Sequence, residues 1–206
     1  MKKLLIIAAV STLASISARS ESIDLRTVAF QNIELSYTTE SEAIGGMKMS
    51  GSGIALSGSY LITKNIYGLL DYTTVSVDGT DGIDSFDLKL SGIGFGAGYR
   101  SSINDSMDAY GSFNISSPYA KLTLNGVEIL LTSLDYRNYT FGIASYSDNL
   151  ISKLGISSTE LDGDKTHAIT LSSRIVLDNK AIVGVDLEYN LDATEFGLAL
   201  HAGMSL

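Results

Sequence analysis

"FGLALHAGMSL", residues 196–206, carries no formal charge and alternates without interruption. Phe196, Leu198, Leu200, Ala202, Met204 and Leu206 fall on one side, and Gly197, Ala199, His201, Gly203 and Ser205 on the other. A strict period of two is the mark of a β-strand with one apolar face. The pattern runs to the last residue, where a soluble domain usually has a polar, frayed tail. Such a strand needs a partner along each backbone edge and an apolar medium against its Phe, Leu and Met side chains.

The same period recurs along the chain, over residues 28–38, 51–63, 66–77, 86–100, 107–117, 129–146, 150–160, 167–177, 181–189 and 194–206. Helical periodicity is absent beyond the first twenty or so residues. Two kinds of connection alternate. "TKN" (63–65), "SINDS" (102–106), "SDN" (147–149) and "LDNK" (177–180) are short and rich in Asn and Asp, which suit tight turns. Residues 38–50, 78–85, 118–128 and 161–166 form longer, polar, acidic connections, joined by a brief "NLDA" at 190–193. Strands in this order predict an all-β, single antiparallel up-and-down transmembrane barrel, with ten strands favoured over an alternative of eight and both termini on the short-turn side.

Composition agrees. Hydrophobic residues make up 45% and charged residues only 18%, yet no second apolar run is long enough for a membrane helix, so the apolar content must lie in short alternating segments. The start, "MKKLLIIAAVSTLASISA", has two lysines, an apolar core too short to span a bilayer, and small residues at its end. Residues 1–18 are therefore expected to be a secretory signal peptide, with cleavage after Ala18 or after Ser20, leaving 19–206 as the barrel domain. The chain has 23 acidic against 14 basic residues, and losing Lys2 and Lys3 makes it more acidic still, which excludes a basic nucleic-acid surface. It contains no cysteine, so thiolate metal sites, cysteine nucleophiles and disulfides are excluded.

The two strand faces separate a barrel from a soluble β-sandwich. A sandwich shows water a charged face. Here the non-apolar face is often glycine, as in "GIGFGAGYR", where Gly92, Gly94, Gly96 and Gly98 oppose Ile93, Phe95, Ala97 and Tyr99. Four glycines weaken a solvated face, whereas a narrow barrel interior needs room for side chains arriving from other strands. Tyr60, Tyr99 and Tyr146 precede short turns, and Tyr189 and Phe196 flank an outer connection, as aromatic girdles at lipid interfaces do. In this orientation outward Val185 or Leu200 is intolerant of Arg, and inward Gly184 or Ser205 is expected to accept Ala more readily.

Two hairpins, "SYLITKNIYGLLDY" (59–72) and "FGIASYSDNLISKLGIS" (141–157), make the chain resemble the small outer-membrane β-barrel proteins of Gram-negative bacteria described as porin-like. The resemblance covers most of the chain and implies a structural or porin-like role in the outer membrane, reached through the periplasm. It implies outer-membrane lipid and lipopolysaccharide as surroundings, and barrel-assembly machinery that reads the last strand (Phe196, Leu198, Leu200, Ala202, Met204, Leu206) as an insertion signal. Members usually end on Phe or Trp; this chain ends on Leu206.

With apolar faces outward, Glu34, Asp71, Asp108, Arg137, Lys153, Arg174, Asp186, Glu188 and His201 are the candidate lumen-lining residues. Charges of both signs suit either internal ion pairs that fill a narrow lumen or a polar pore for small solutes. Facing changes phase near Ser91 in "FDLKLSGIGF", and Arg137 is in phase with Phe141; a β-bulge would account for either. His167 beside Asp162 and Asp164 lacks an orienting partner or oxyanion donor, so no enzyme, catalytic residue, metal site or cofactor is assigned. Glu40, Glu42, Asp78, Asp81, Asp84, Asp87 and Glu160 make the outer connections acidic, which leaves recognition or adhesion of surface ligands as the alternative role.

Overall fold

The computed structural model describes residues 23–44, 47–80, 85–192 and 195–206. The expected signal peptide lies outside the described residues, as do Asp81, Asp84 and the side chains of Glu40 and Glu42. A one-turn helix, α1 (Leu25–Val28), comes first. It is followed by β1 (Asn32–Ile44), β2 (Met47–Leu61), β3 (Ile66–Thr80), β4 (Ser85–Asn104), β5 (Met107–Ser116), β6 (Tyr119–Leu124), β7 (Val127–Ser133), β8 (Tyr136–Ser147), β9 (Leu150–Leu161), β10 (Asp164–Val176), β11 (Ala181–Asn190) and β12 (Glu195–Ser205).

Every pairing is antiparallel, and β1 pairs with β12, so the sheet closes on itself. The closed wall has ten strands, because β5–β6 and β7–β8 are each one strand broken near its outer end. Pro118 lacks an N–H and interrupts the first. Beyond it, β4 exchanges β5 for β6 as its partner without losing register with β3.

The outer connections are shorter than the sequence suggests, because most of 38–50, 78–85, 118–128 and 161–166 continues as strand. Asn125–Gly126 (φ 48° and 82°) and Asp162–Gly163 (φ 50° and 96°) are two-residue turns with positive φ at both positions. Asn-Gly and Asp-Gly suit that geometry and the twist of the strands they join. At the other end, the strand expected from residue 28 starts at Asn32, since Val28, Ala29 and Phe30 lie buried inside the barrel. Asp24 caps the preceding turn by accepting from the amide of Arg26 at 3.1 Å.

Outward residues form an apolar belt. Ile33, Leu35, Ile54, Leu56, Leu70, Phe95, Ile156, Leu171, Leu187, Leu198 and Leu200 are exposed. On β12 the belt runs from Phe196 to Met204, about 27 Å along the strand at about 3.4 Å per residue and roughly 20 Å after a barrel strand's tilt of about 40°. Tyr60 and Tyr99 border it near the short turns, and Tyr189 and Phe196 stack at 4.7 Å near the outer rim. Tyr146 differs from the expected girdle: it points inward and bonds Asp108.

The phase change near Ser91 is real but involves no bulge, since β3 and β4 pair without a shift from Ile66↔Tyr99 to Thr80↔Ser85. The faces keep their geometry and exchange their chemistry. Beyond Thr74 and Ser91 the side chains on the inward parity are Val75, Val77, Leu88 and Leu90, while Ser76 and Asp87, joined by a hydrogen bond, and Lys89, at 2.9 Å from Asp87, lie outside. This is the pattern of a sheet whose outer face meets water.

Candidate functional site in the lumen

Inward side chains stack in layers, and the middle layer is ionic. Glu34, His201, Asp186 and Arg174 come from β1, β12, β11 and β10, four neighbouring strands. Arg174 Nε lies 2.7 Å from Glu34 Oε2, and its Nη1 lies 2.6 Å from Asp186 Oδ1. His201 bridges the same carboxylates, with Nε2 2.9 Å from Asp186 and Nδ1 3.3 Å from Glu34. Each acid thus faces two basic groups. That pairing is what a lumen walled by hydrocarbon on its far side requires, because an uncompensated charge there costs several kcal/mol. Glycine gives the network its space: a Cβ at Gly184 would stand 2.3 Å from Arg174 Cδ, and one at Gly203 2.9 Å from Glu34 Cγ.

Lys153 on β9 belongs to the same level but turns toward the short-turn end. Its Nζ donates to the Ala29 carbonyl at 2.7 Å and sits 4.7 Å from the centre of the Phe30 ring, a cation–π contact. A cavity of about 70 Å³ separates Ala29 from the ionic layer, bordered by Glu34, Lys153, Arg174 and Ile182.

Below it, residues 23–31 fill the barrel mouth. Phe30 is 2% exposed and packs on Tyr67 at 5.0 Å and Tyr110 at 5.9 Å, with Val28, Ile151, Val176 and Ile182 in the same cluster. Asp108, 1% exposed, pairs with Arg26 at 3.3 Å and Arg100 at 3.8 Å and accepts from the Tyr146 hydroxyl at 2.9 Å. Arg100 also donates to the carbonyls of Lys64 and Arg26.

Higher up, Asp71 bonds the Asn114 amide, and Asn138 donates to Thr159 at 2.8 Å. Glu188 lies near the outer rim, where Thr170 Oγ1 is 3.5 Å away. The candidate residues therefore occupy three levels. Glu34, Lys153, Arg174, Asp186 and His201 form one group, Asp108 belongs to the mouth, and Asp71 and Glu188 lie above.

Arg137 requires a correction: it is exposed on the outer face. β8 keeps an unbroken register with β5 and β9, so nothing reverses its parity, and Arg137 stays in phase with exposed Tyr139, Phe141 and Ile143. Its rung holds Glu160, which pairs with Lys165 at 3.8 Å, at the margin where the apolar belt gives way to charge. His167 is exposed at the outer rim with Nδ1 3.2 Å from Asp192.

Sequence reading missed Arg26, Arg100, Tyr67 and Asn114. Arg100 was legible, since it continues the inward series Gly94, Gly96, Gly98. Arg26 was not, because it precedes the first strand.

No protein-family model and no curated relative matches the chain. Its solved neighbours are outer-membrane β-barrels. The β domain of the Bordetella autotransporter BrkA is 13% identical, over 85% of this chain and 98% of that one, with a TM-score of 0.49. The transport unit of the autotransporter AIDA-I from Escherichia coli is 10% identical, over 97% and 96%, with a TM-score of 0.49. An outer membrane channel from Pseudomonas putida F1 is 10% identical, over 91% and 100%, with a TM-score of 0.48. At this distance the barrel stands on its own closed register and on the facing of its residues, and by those it is an antiparallel ten-stranded barrel of the outer-membrane type.

Proposed function

We propose that the protein is an integral outer-membrane β-barrel of a Gram-negative cell, with a structural or porin-like role and a narrow polar lumen. The observation that carries this reading is the pairing of a closed hydrogen-bond ladder with inverted faces: an apolar belt outside, and Glu34, Arg174, Asp186 and His201 neutralising one another inside. Only a barrel set in hydrocarbon needs that arrangement. Lipid and lipopolysaccharide surround the belt, and the alternating last strand serves as the insertion signal for the assembly machinery after export. The lumen residues act by charge and shape and take no part in catalysis.

A second reading, recognition at the cell surface, draws support from one feature. The outer parts of β3, β4, β6 and β7 rise beyond the belt as paired strands with Asp87, Lys89, Lys121 and Glu128 toward water. Outer-membrane fractionation with a difference in gel mobility between unheated and boiled samples tests the first reading. Recovery as a soluble periplasmic protein without that shift overturns it.

A further inference from the structure

Gln31 stays with the seam, where its carbonyl accepts from the Leu206 amide at 3.3 Å, but the barrel wall is complete without residues 23–30. Its ten strands close through β1 and β12, and the segment contributes no rung to the ladder between them. The segment satisfies its own amides: Val28, Ala29 and Phe30 donate to the carbonyls of Asp24, Leu25 and Thr27. Its links to the wall are side-chain links. Arg26 reaches Asp108 and the Asn104 carbonyl, Arg100 holds the Arg26 carbonyl, and Lys153 holds that of Ala29. Withdrawing residues 23–30, with Gln31 left in place as the hinge, would break no rung of the wall's ladder.

The socket has a double character. Tyr67, Ile151 and Ile182 accept Phe30 and Val28, as a fitted seat should. Among them stand Arg100, Asp108 and Lys153, three charged groups that a permanently dry core would not need and that are costly to bury. A mouth that holds either the segment or water uses both sets. Above the seat, the small cavity already separates the segment from the ionic layer.

We propose that residues 23–30 are a seated, separable stopper hinged at Gln31 and latched by Arg26 on Asp108, and that its withdrawal turns the barrel into an ion-conducting channel. This rests on the outer-membrane reading above. The constriction left open is the layer of Glu34, Arg174, Asp186 and His201.

The test uses the refolded full chain in planar bilayers, with the heat-dependent gel shift as an independent check of folding. Wild type is expected to stay mostly closed. Arg26→Ala, and separately Asp108→Asn on the wall side, are expected to raise mean conductance by about tenfold through a shift in the closed-to-open population. Because the chain has no cysteine, Ala29→Cys supplies a unique thiol, and its reaction with a water-soluble maleimide is expected to quicken by a similar factor when Arg26→Ala is added. Folded latch variants with unchanged conductance and labelling would overturn the proposal, as would steady wild-type current. Latch variants that lose the folded band would overturn it too, by making the segment part of the permanent core. Loss of the shift in wild type itself would overturn the barrel reading instead.

Discussion

Gly184 is, with Gly203, one of two glycines that make room for the ionic layer, and it is tightly constrained. The sequence marks it as an inward glycine, a site expected to accept a methyl group. The structure reverses that expectation, since a Cβ would meet Arg174 Cδ at 2.3 Å and the Ser173 carbonyl at 2.4 Å. Gly184→Ala is expected to destabilise the barrel by about 1–3 kcal/mol, the usual penalty for overpacking. Gly58→Ala, where the nearest atoms lie at 3.8 Å, is expected to leave the urea midpoint unchanged. Equal midpoints for the two variants would contradict the packing around Arg174. On the opposite face, Leu200→Arg is expected to cost about 2–4 kcal/mol in lipid, read as the same midpoint in vesicles. Asp186→Asn removes one of the two acids facing Arg174 and His201, and is expected to lower stability by about 3 kcal/mol, the lower end for breaking a buried pair. An unchanged midpoint with altered ion selectivity would instead indicate a hydrated pore at this level.

At the level of elements, strand positions were legible because hydrophobic alternation is strong wherever one face meets lipid. The ten sequence segments correspond to the ten wall strands. What the sequence obscured lies above the belt. There water replaces lipid outside, apolar side chains turn inward, and a strand such as β3 beyond Thr74 carries the polar composition of a loop. Asn125-Gly126 and Asp162-Gly163 held the missing signal, a two-residue hairpin turn inside what looked like a long connection. Gly163 has φ of 96° and open space around it, so Gly163→Ala is expected to cost about 1 kcal/mol through backbone strain alone. Circular dichroism melting in detergent measures it, and no loss would mean that this turn adopts another conformation. The stopper was illegible for a different reason: one helical turn is too short to show a period, and Val28 and Phe30 imitate the start of a strand.

At the scale of the whole molecule, the topology puts the four short turns on one side of the membrane and the taller hairpins on the other. Since the chain has no cysteine, single thiols can map this directly. Lys121→Cys is expected to react with an impermeant maleimide on intact cells, and Ser147→Cys only after the outer membrane is permeabilised. The opposite pattern would invert the barrel and place the stopper at the cell surface. The sign of the charged groups followed from sequence, but their partners did not. Arg174 meets Glu34 across 140 positions of chain, and only closure of the ring brings them together.

That closure also sets a clock. The seam joins the two ends of the barrel, with Ser205 Oγ donating to the Gln31 carbonyl across 174 residues. Contacts so distant in sequence carry the largest loop-closure entropy and form slowly. Nine hairpin contacts between neighbouring strands can be made early and cheaply, but β1 must wait with an open edge until β12 arrives. The rate-limiting event in folding is therefore expected to be the meeting of residues 32–39 with 198–205. Until then Glu34 lacks both Arg174 and His201, so the ionic layer is assembled in the same late step.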